Sequence, residues 1–195
     1  MYRLVLGGST GGDDAAMRQE PAGATGSAGG QGQAARDVAI FAAGCFWGVQ
    51  YYFDQVPGVI ETEVGYIGGK TKNPSYEQVC YEDTAHAEAV KITYDPKKVN
   101  YKTLLMQYFR MHDPTQMNRQ GPDVGRQYRS AIFYLNDEQK SQAQKAIDKL
   151  NKEKFNSKIV TALEKAGEFW VAEDYHQKYT EKTGRGMCHI DYAPV

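Results

Sequence analysis

Val38-Ala39-Ile40-Phe41-Ala42-Ala43-Gly44-Cys45-Phe46-Trp47-Gly48 is an apolar run that breaks at glycine and then changes its period. Val38 to Ala42 reads as a short strand. Beyond the break, Phe46, Val49, Phe53 and Val56 fall at near-helical spacing, so a strand passes directly into an amphipathic helix. That junction places Cys45 under the first free N–H groups of the helix. Such groups favour an anion, and a thiolate is expected to be stabilised there relative to a free cysteine near ~8.5. Phe46 and Trp47 flank the sulfur, and a nucleophile beside an apolar wall suits a small, soft substrate. The reading requires a thiol that is open to solvent and ionisable. A buried core thiol is the competing reading, because free cysteine is among the most buried residue types.

Outward from this junction the pattern is mixed. Val59 to Tyr66 reads as a strand ending at Gly68-Gly69, and Ala87 to Tyr94 alternates until Asp95-Pro96 stops it. Tyr101 to Met111 carries Leu104, Leu105, Tyr108 and Met111 at helical spacing. A strand is expected from Tyr128 to Leu135. Asn136 or Asp137 can then cap a helix to about Phe155, with Ala143, Ala146, Ile147 and Leu150 inward, before a last strand from Lys158 to Leu163. The fold class is α+β, a mixed β-sheet covered by helices in a two-layer sandwich with an irregular C-terminal tail. Residues 1–35, rich in glycine and alanine, cannot bury enough apolar surface to offset their ordering entropy and are expected to be a disordered tail, leaving 36–195 as the catalytic domain.

Composition narrows the function. The 195 residues are 41% hydrophobic and 24% charged, the content of a soluble globular chain. A net charge of −1 gives no general attraction to nucleic acid or an anionic membrane, and neither is expected as a partner. No apolar run approaches the roughly twenty residues of a spanning helix. Three cysteines, Cys45, Cys80 and Cys188, do not form a secreted disulfide scaffold; they suit a reducing compartment where thiols do redox or nucleophilic work. A monomer in the cytoplasm is expected, with organellar targeting by the tail left open.

Three further stretches carry chemistry. In Asn73-Pro74-Ser75-Tyr76 the proline fixes a turn that can start a helix, with Tyr76 on its first turn, although these residues alone favour a packing tyrosine. In His86-Ala87-Glu88 the first and third side chains of a strand share a face, and a carboxyl beside an apolar site would have a raised pKa and act as a general acid. The same residues permit a Cys45–His86 pair. The segment from His112-Asp113-Pro114-Thr115-Gln116 to Asp123 and Tyr128 is long and polar, which points either to function or to a surface loop with internal hydrogen bonds.

Taken in order, Gly44-Cys45-Phe46-Trp47-Gly48, Gly65-Tyr66-Ile67-Gly68-Gly69, Asn73-Pro74-Ser75-Tyr76 with Cys80, His86-Ala87-Glu88, and the block from His112 to Tyr128-Arg129-Ser130 strongly resemble the peptide methionine sulfoxide reductase A family. The resemblance runs from Asp37 to the C-terminus. It implies that Cys45 attacks the sulfoxide sulfur and becomes a sulfenic acid, that Phe46 and Trp47 hold the substrate methyl, and that Glu88 protonates the departing oxygen. It further implies that Tyr76 and Tyr128 hydrogen-bond that oxygen and that Asp123 orders the polar side. The activity implied is thiol-dependent reduction of methionine S-sulfoxide, free or in proteins, as repair of oxidative damage. No cofactor is implied, with thioredoxin or dithiothreitol as reductant. Cys188, set among Gly184 and Gly186, is favoured over Cys80 as the resolving thiol.

Two other classes compete. A cysteine hydrolase using Cys45 and His86 would form an acyl-enzyme and need no reductant. A metal-binding or thiol-sensing module could use Cys45, Cys80, Cys188, His86 and His189, but no CxxC pair supports a structural zinc site, and no resident metal is expected.

Overall fold

Alternating Ala87–Tyr94 and the apolar strand before Gly44 pair antiparallel at the centre of a sheet, in a computed structural model that describes residues 35–190. In chain order the elements are β1 (Asp37–Ala43), α1 (Phe46–Asp54), β2 (Val59–Ile67), α2 (Tyr76–Tyr81) and β3 (Ala87–Tyr94). They continue through α3 (Tyr101–Met111), β4 (Arg119–Gln120), β5 (Asp123–Val124), β6 (Ser130–Tyr134) and α4 (Asp137–Leu150). The last are β7 (Ala162–Lys165), β8 (Trp170–Val171) and α5 (Tyr179–Thr183). Among the described residues the main sheet runs β7-β6-β1-β3-β2-β8, all antiparallel except the β6–β7 edge. The architecture is therefore α+β with a mixed sheet. The disordered tail expected for Met1 to Ala35 lies outside the described residues, save its last position.

One sheet face carries the larger core. Phe41 packs against Phe53, Tyr101 and Tyr108 with ring centroids 5.7, 5.9 and 5.0 Å away, and Val64, Val90, Ile92 and Ile132 extend the same layer beneath the helices. Burying each such side chain contributes roughly 1.5–3 kcal/mol. The opposite face is built from small residues, Ala42, Ala87, Ala89 and Ala131, under Ile40, Ile67 and Phe133, with Phe169 laid against it. Glu88 has the parity of Val90 and Ile92, so it points into the helix-covered layer at the end of β3 nearest Cys45.

Helix ends follow their sequence signals. Asn100 and Asn136 accept N–H bonds from Thr103 and Gln139, each at 2.9 Å, and Ser75 with Gln78 forms a reciprocal capping box. Three expectations shift. The strand expected from Lys158 to Leu163 is β7, displaced to Ala162–Lys165 because parallel pairing of Ala131 with Ala162 and Tyr134 with Lys165 sets its register, and a further strand, β8, follows it. Tyr128 ends a 3-10 turn, its N–H bonded to the Gly125 carbonyl at 3.0 Å, and the strand begins at Ser130. The polar stretch after His112 contains the β4–β5 hairpin. No helix of the described residues is long and apolar enough to cross a membrane.

Candidate active site

Gly44 makes the turn that presents Cys45. Its φ of +92° is a left-handed conformation, and a Cβ there would lie 2.5 Å from His189 Cε1 and 2.7 Å from Gln120 Cβ, so only glycine fits. Cys45 is the N-cap residue of α1, as the strand-to-helix reading requires. Its environment differs from the expectation in two respects. The thiol is not open to solvent: Cys45 is 6% exposed, and Cys188 hydrogen-bonds to it. Nor does the helix terminus win. The hydrogen bond with Cys188, burial and the Glu88 charge push the Cys45 thiol up, and only the Trp47 N–H acts in the opposite direction. Cys188, the more exposed partner, is pulled down by the same hydrogen bond. Cys45 therefore keeps the proton and donates it to the sulfur of Cys188.

The first free N–H of α1, that of Phe46, is taken by Glu88 Oε2 at 3.1 Å. Glu88 is 1% exposed, and burial pushes its carboxyl up to about 8 against that single N–H, with the charges of Asp123 and Cys188 adding to the rise. A carboxyl in this state holds its proton at neutral pH and can give it to a basic oxygen. Tyr76 and Tyr128 both feel the Glu88 charge and, like Tyr66, are pushed up principally by burial, so all three phenols remain O–H donors. The Tyr76 hydroxyl also hydrogen-bonds Cys80. Asp123 comes from β5 and hydrogen-bonds Cys188. Its hairpin is braced by Gln116 accepting the Gly121 N–H at 2.9 Å and by Gln120 bonded to the Asp113 backbone at 3.0 and 2.9 Å. The loop thus has internal hydrogen bonds and delivers a site residue as well.

Phe46 is buried, its ring 5.9 Å from Tyr66 and 5.2 Å from His176. Trp47 stacks on Tyr179 at 4.0 Å and donates its indole N–H to His176 Nδ1 at 2.9 Å. Gly186, φ +86°, lies over this indole: a Cβ there would be 2.9 Å from Trp47 Cε3. The segment carrying Cys188 therefore rests on the aromatic wall as well as on the Cys45 sulfur.

Polar residues that the sequence did not single out lie behind the aromatic wall. Glu173 accepts the Tyr66 hydroxyl at 2.9 Å and the Tyr76 N–H at 2.8 Å, joining the aromatic wall to the first turn of α2. His176 is wholly buried, lowered by burial, and accepts from Trp47. Gln177 brackets the Val64 backbone at 3.0 and 2.9 Å, and Lys178 bonds Asp54 at 2.6 Å, which fixes the segment against β2 and α1. The aromatic density of Trp170 to Tyr179 was the available signal, but it has neither strand nor helix period.

His86 does not pair with Cys45. Ala85 has φ +62°, β3 starts at Ala87, and the imidazole turns away to accept the Gly69 N–H at 3.2 Å and donate to the Thr71 carbonyl at 2.8 Å. With both nitrogens engaged it braces the glycine turn, and the expected shared face with Glu88 is lost.

A thiol, an unionised carboxyl and phenols thus act on one another electrostatically, with a second thiol against the first. The arrangement matches a known group of proteins. The model of the peptide methionine sulfoxide reductase family fits residues 37–195. A peptide methionine sulfoxide reductase MsrA of Methanosarcina acetivorans is 56% identical over 149 residues, covering 76% of this chain and 79% of that protein. Among solved structures, reduced Mxr1 from Saccharomyces cerevisiae superposes with a TM-score of 0.75 at 32% identity, covering 80% of this chain and 93% of that one. Methionine sulfoxide reductase A of Corynebacterium diphtheriae gives 0.73 at 36% identity, over 84% and 80%. The fold is shared too with Mxr1 in complex with Trx2, TM-score 0.53 at 24% identity over 74% and 84%. The chain belongs to the peptide methionine sulfoxide reductase family.

Proposed function

We infer that this protein reduces methionine S-sulfoxide, free or within proteins, to methionine through Cys45. The observation that carries the mechanism is the buried Glu88 carboxyl, bonded to the N–H of Phe46 beside Cys45, pushed up to about 8 by burial, its charge acting on the Cys45 thiol and on the Tyr76 and Tyr128 phenols. Sulfoxide sulfur becomes electrophilic as charge on its oxygen is neutralised. Glu88 supplies a proton to that oxygen, Tyr76 and Tyr128 donate hydrogen bonds to it, and Phe46 with Trp47 receives the S-methyl group. Cys45 sulfur attacks as its thiol proton returns to the Glu88 carboxylate, the protonated oxygen passes to it, and the products are methionine and Cys45 sulfenic acid. The Cys188 thiol then attacks that sulfur, expelling water and leaving a Cys45–Cys188 disulfide. A thioredoxin dithiol, or dithiothreitol, returns both cysteines to thiols by exchange; the complex with Trx2 belongs to Mxr1 and supports this assignment only by shared fold.

The Cys188 segment must lift from Trp47 for substrate to enter, and its glycines and positive backbone angles at Gly184, Gly186 and Cys188 suit such a movement. The reading includes a monomeric, cytoplasmic enzyme with residues 36–195 as the catalytic domain, no cofactor, and neither nucleic acid nor membrane as partner.

An assay of each methionine sulfoxide epimer with dithiothreitol tests the reaction. The S epimer is expected to turn over and the R epimer to be inert; equal rates would contradict the reading. Cys188→Ser is expected to release about one methionine per chain and then stall with thioredoxin, since no disulfide forms for exchange. Undiminished recycling would move the resolving role to Cys80.

A further inference from the structure

The donors around Cys45 form a set that the proposed reaction does not use together. Cys45 Sγ, Cys188 Sγ and a carboxylate oxygen of Asp123 all lie within 4.8 Å of one another. Two soft sulfurs and one oxygen make a donor set suited to a thiophilic divalent cation. Ligands on one tetrahedral zinc, at ≈ 2.3 Å for sulfur and about 2.1 Å for oxygen, stand about 3.5–3.8 Å apart, so the three need to close by at most about an ångström. Cys188 sits at φ 45° behind Gly186, where the backbone can supply that adjustment.

A second observation points to the same place. Asp123 Oδ2 is buried with no nitrogen or oxygen partner, its carboxyl meeting the Cys188 sulfur, and the His189 ring, in the residue after Cys188, reaches no side chain and only the Ala43 backbone. Buried polar atoms so thinly satisfied are rare and leave room for a further partner. The Asp123 charge acts on the His189 ring, which packs beside Gly44 at the start of the site. The imidazole therefore borders the cluster without belonging to it.

We propose that the reduced protein binds one Zn²⁺ ion, or a thiophilic relative such as Cd²⁺, on Cys45, Cys188 and Asp123, with a solvent molecule completing the tetrahedron. Binding exchanges protons for metal: each cysteine thiol bonded to the ion gives up its proton to solvent, and no electron moves. The site exists only while both sulfurs are reduced, so this is not a structural zinc site. An occupied site ties up both thiols and closes the enzyme reversibly. The inference stands on the donors themselves, and its readouts need no turnover.

The test titrates CdCl₂ into anaerobically reduced full-length protein, following sulfur-to-cadmium absorption, with ZnCl₂ measured by competition against a chromophoric chelator. One ion per chain is expected, with tighter binding as pH rises because thiol protons are displaced. Cys188→Ala and Asp123→Asn should weaken binding by more than the 10–100-fold typical of losing an outer partner, and Cys80→Ser should leave it unchanged. On the unmutated protein, ZnCl₂ should slow iodoacetamide labelling of Cys45 and Cys188 but not of Cys80. Absence of stoichiometric binding, unchanged affinity in Cys188→Ala, loss of binding in Cys80→Ser, or unprotected Cys45 overturns the proposal.

Discussion

Cys45→Ser is expected to eliminate methionine sulfoxide reduction, with a fall in turnover on the order of 10⁴-fold or more, the scale on which loss of a catalytic nucleophile acts. Serine preserves the shape of the N-cap position and removes only the atom that can accept oxygen and later form a disulfide. Its hydroxyl also restores a favoured helix cap, so the variant should fold at least as well. Steady-state reduction of the S epimer with dithiothreitol, together with a thermal melt, measures both effects. Retained turnover with an unchanged melt would remove Cys45 from the chemistry.

Glu88→Gln should carry the second largest loss. General acid catalysis contributes about 10²–10⁴-fold, and glutamine can still accept the Phe46 N–H while lacking a proton to give. The first half-reaction should slow by that factor with substrate affinity little changed. In the wild type the acid form is the active one, so the rate of that half-reaction should fall as pH rises through about 8. Stability moves with the same group. A carboxyl raised in the folded state from its ordinary 4.5 to about 8 favours folding fully below 4.5, and that contribution is lost as pH rises to about 8. Glu88→Gln should therefore gain thermal stability relative to wild type across that window, most at its upper end. Single-turnover rates and melting temperatures from pH 5 to 9 check both signs. A pH-independent difference would place the carboxyl outside this titration.

How far the sequence carried these conclusions depended on local signal. Ala87–Tyr94 and Tyr101–Met111 match their expected bounds because alternation and helical spacing are local and strong. Helix α4 stops short of Phe155, its last turn widening to a π-type turn over Asn151–Phe155. β7 and β8 were shifted or missed, since a short edge strand takes its place from its neighbour and not from its own period. The same division holds at the site. Cys45, Glu88, Tyr76, Asp123 and Tyr128 were singled out because the ordered set of motifs resembles one family, and the structure couples their charges to one another. Glu173 and His176 were not, because their roles arise from partners 97 and 129 residues away. His86 misled for the opposite reason: its spacing from Glu88 implied a shared face, and one left-handed residue, Ala85, turned it elsewhere. The state of the Cys45 thiol was likewise hidden, because it is set by Cys188, 143 positions further along the chain, and by the buried carboxyl.

Oxygen transfer from the oxidised thioether to Cys45 is the step on which the rest of the cycle depends. Cys188→Ser protein mixed with one equivalent of methionine S-sulfoxide, without reductant, and trapped with dimedone tests this most directly. Peptide mass spectrometry should find the adduct on Cys45, in step with about one methionine released per chain. Methionine released with Cys45 unmodified, or the adduct on Cys80 in its place, would contradict it.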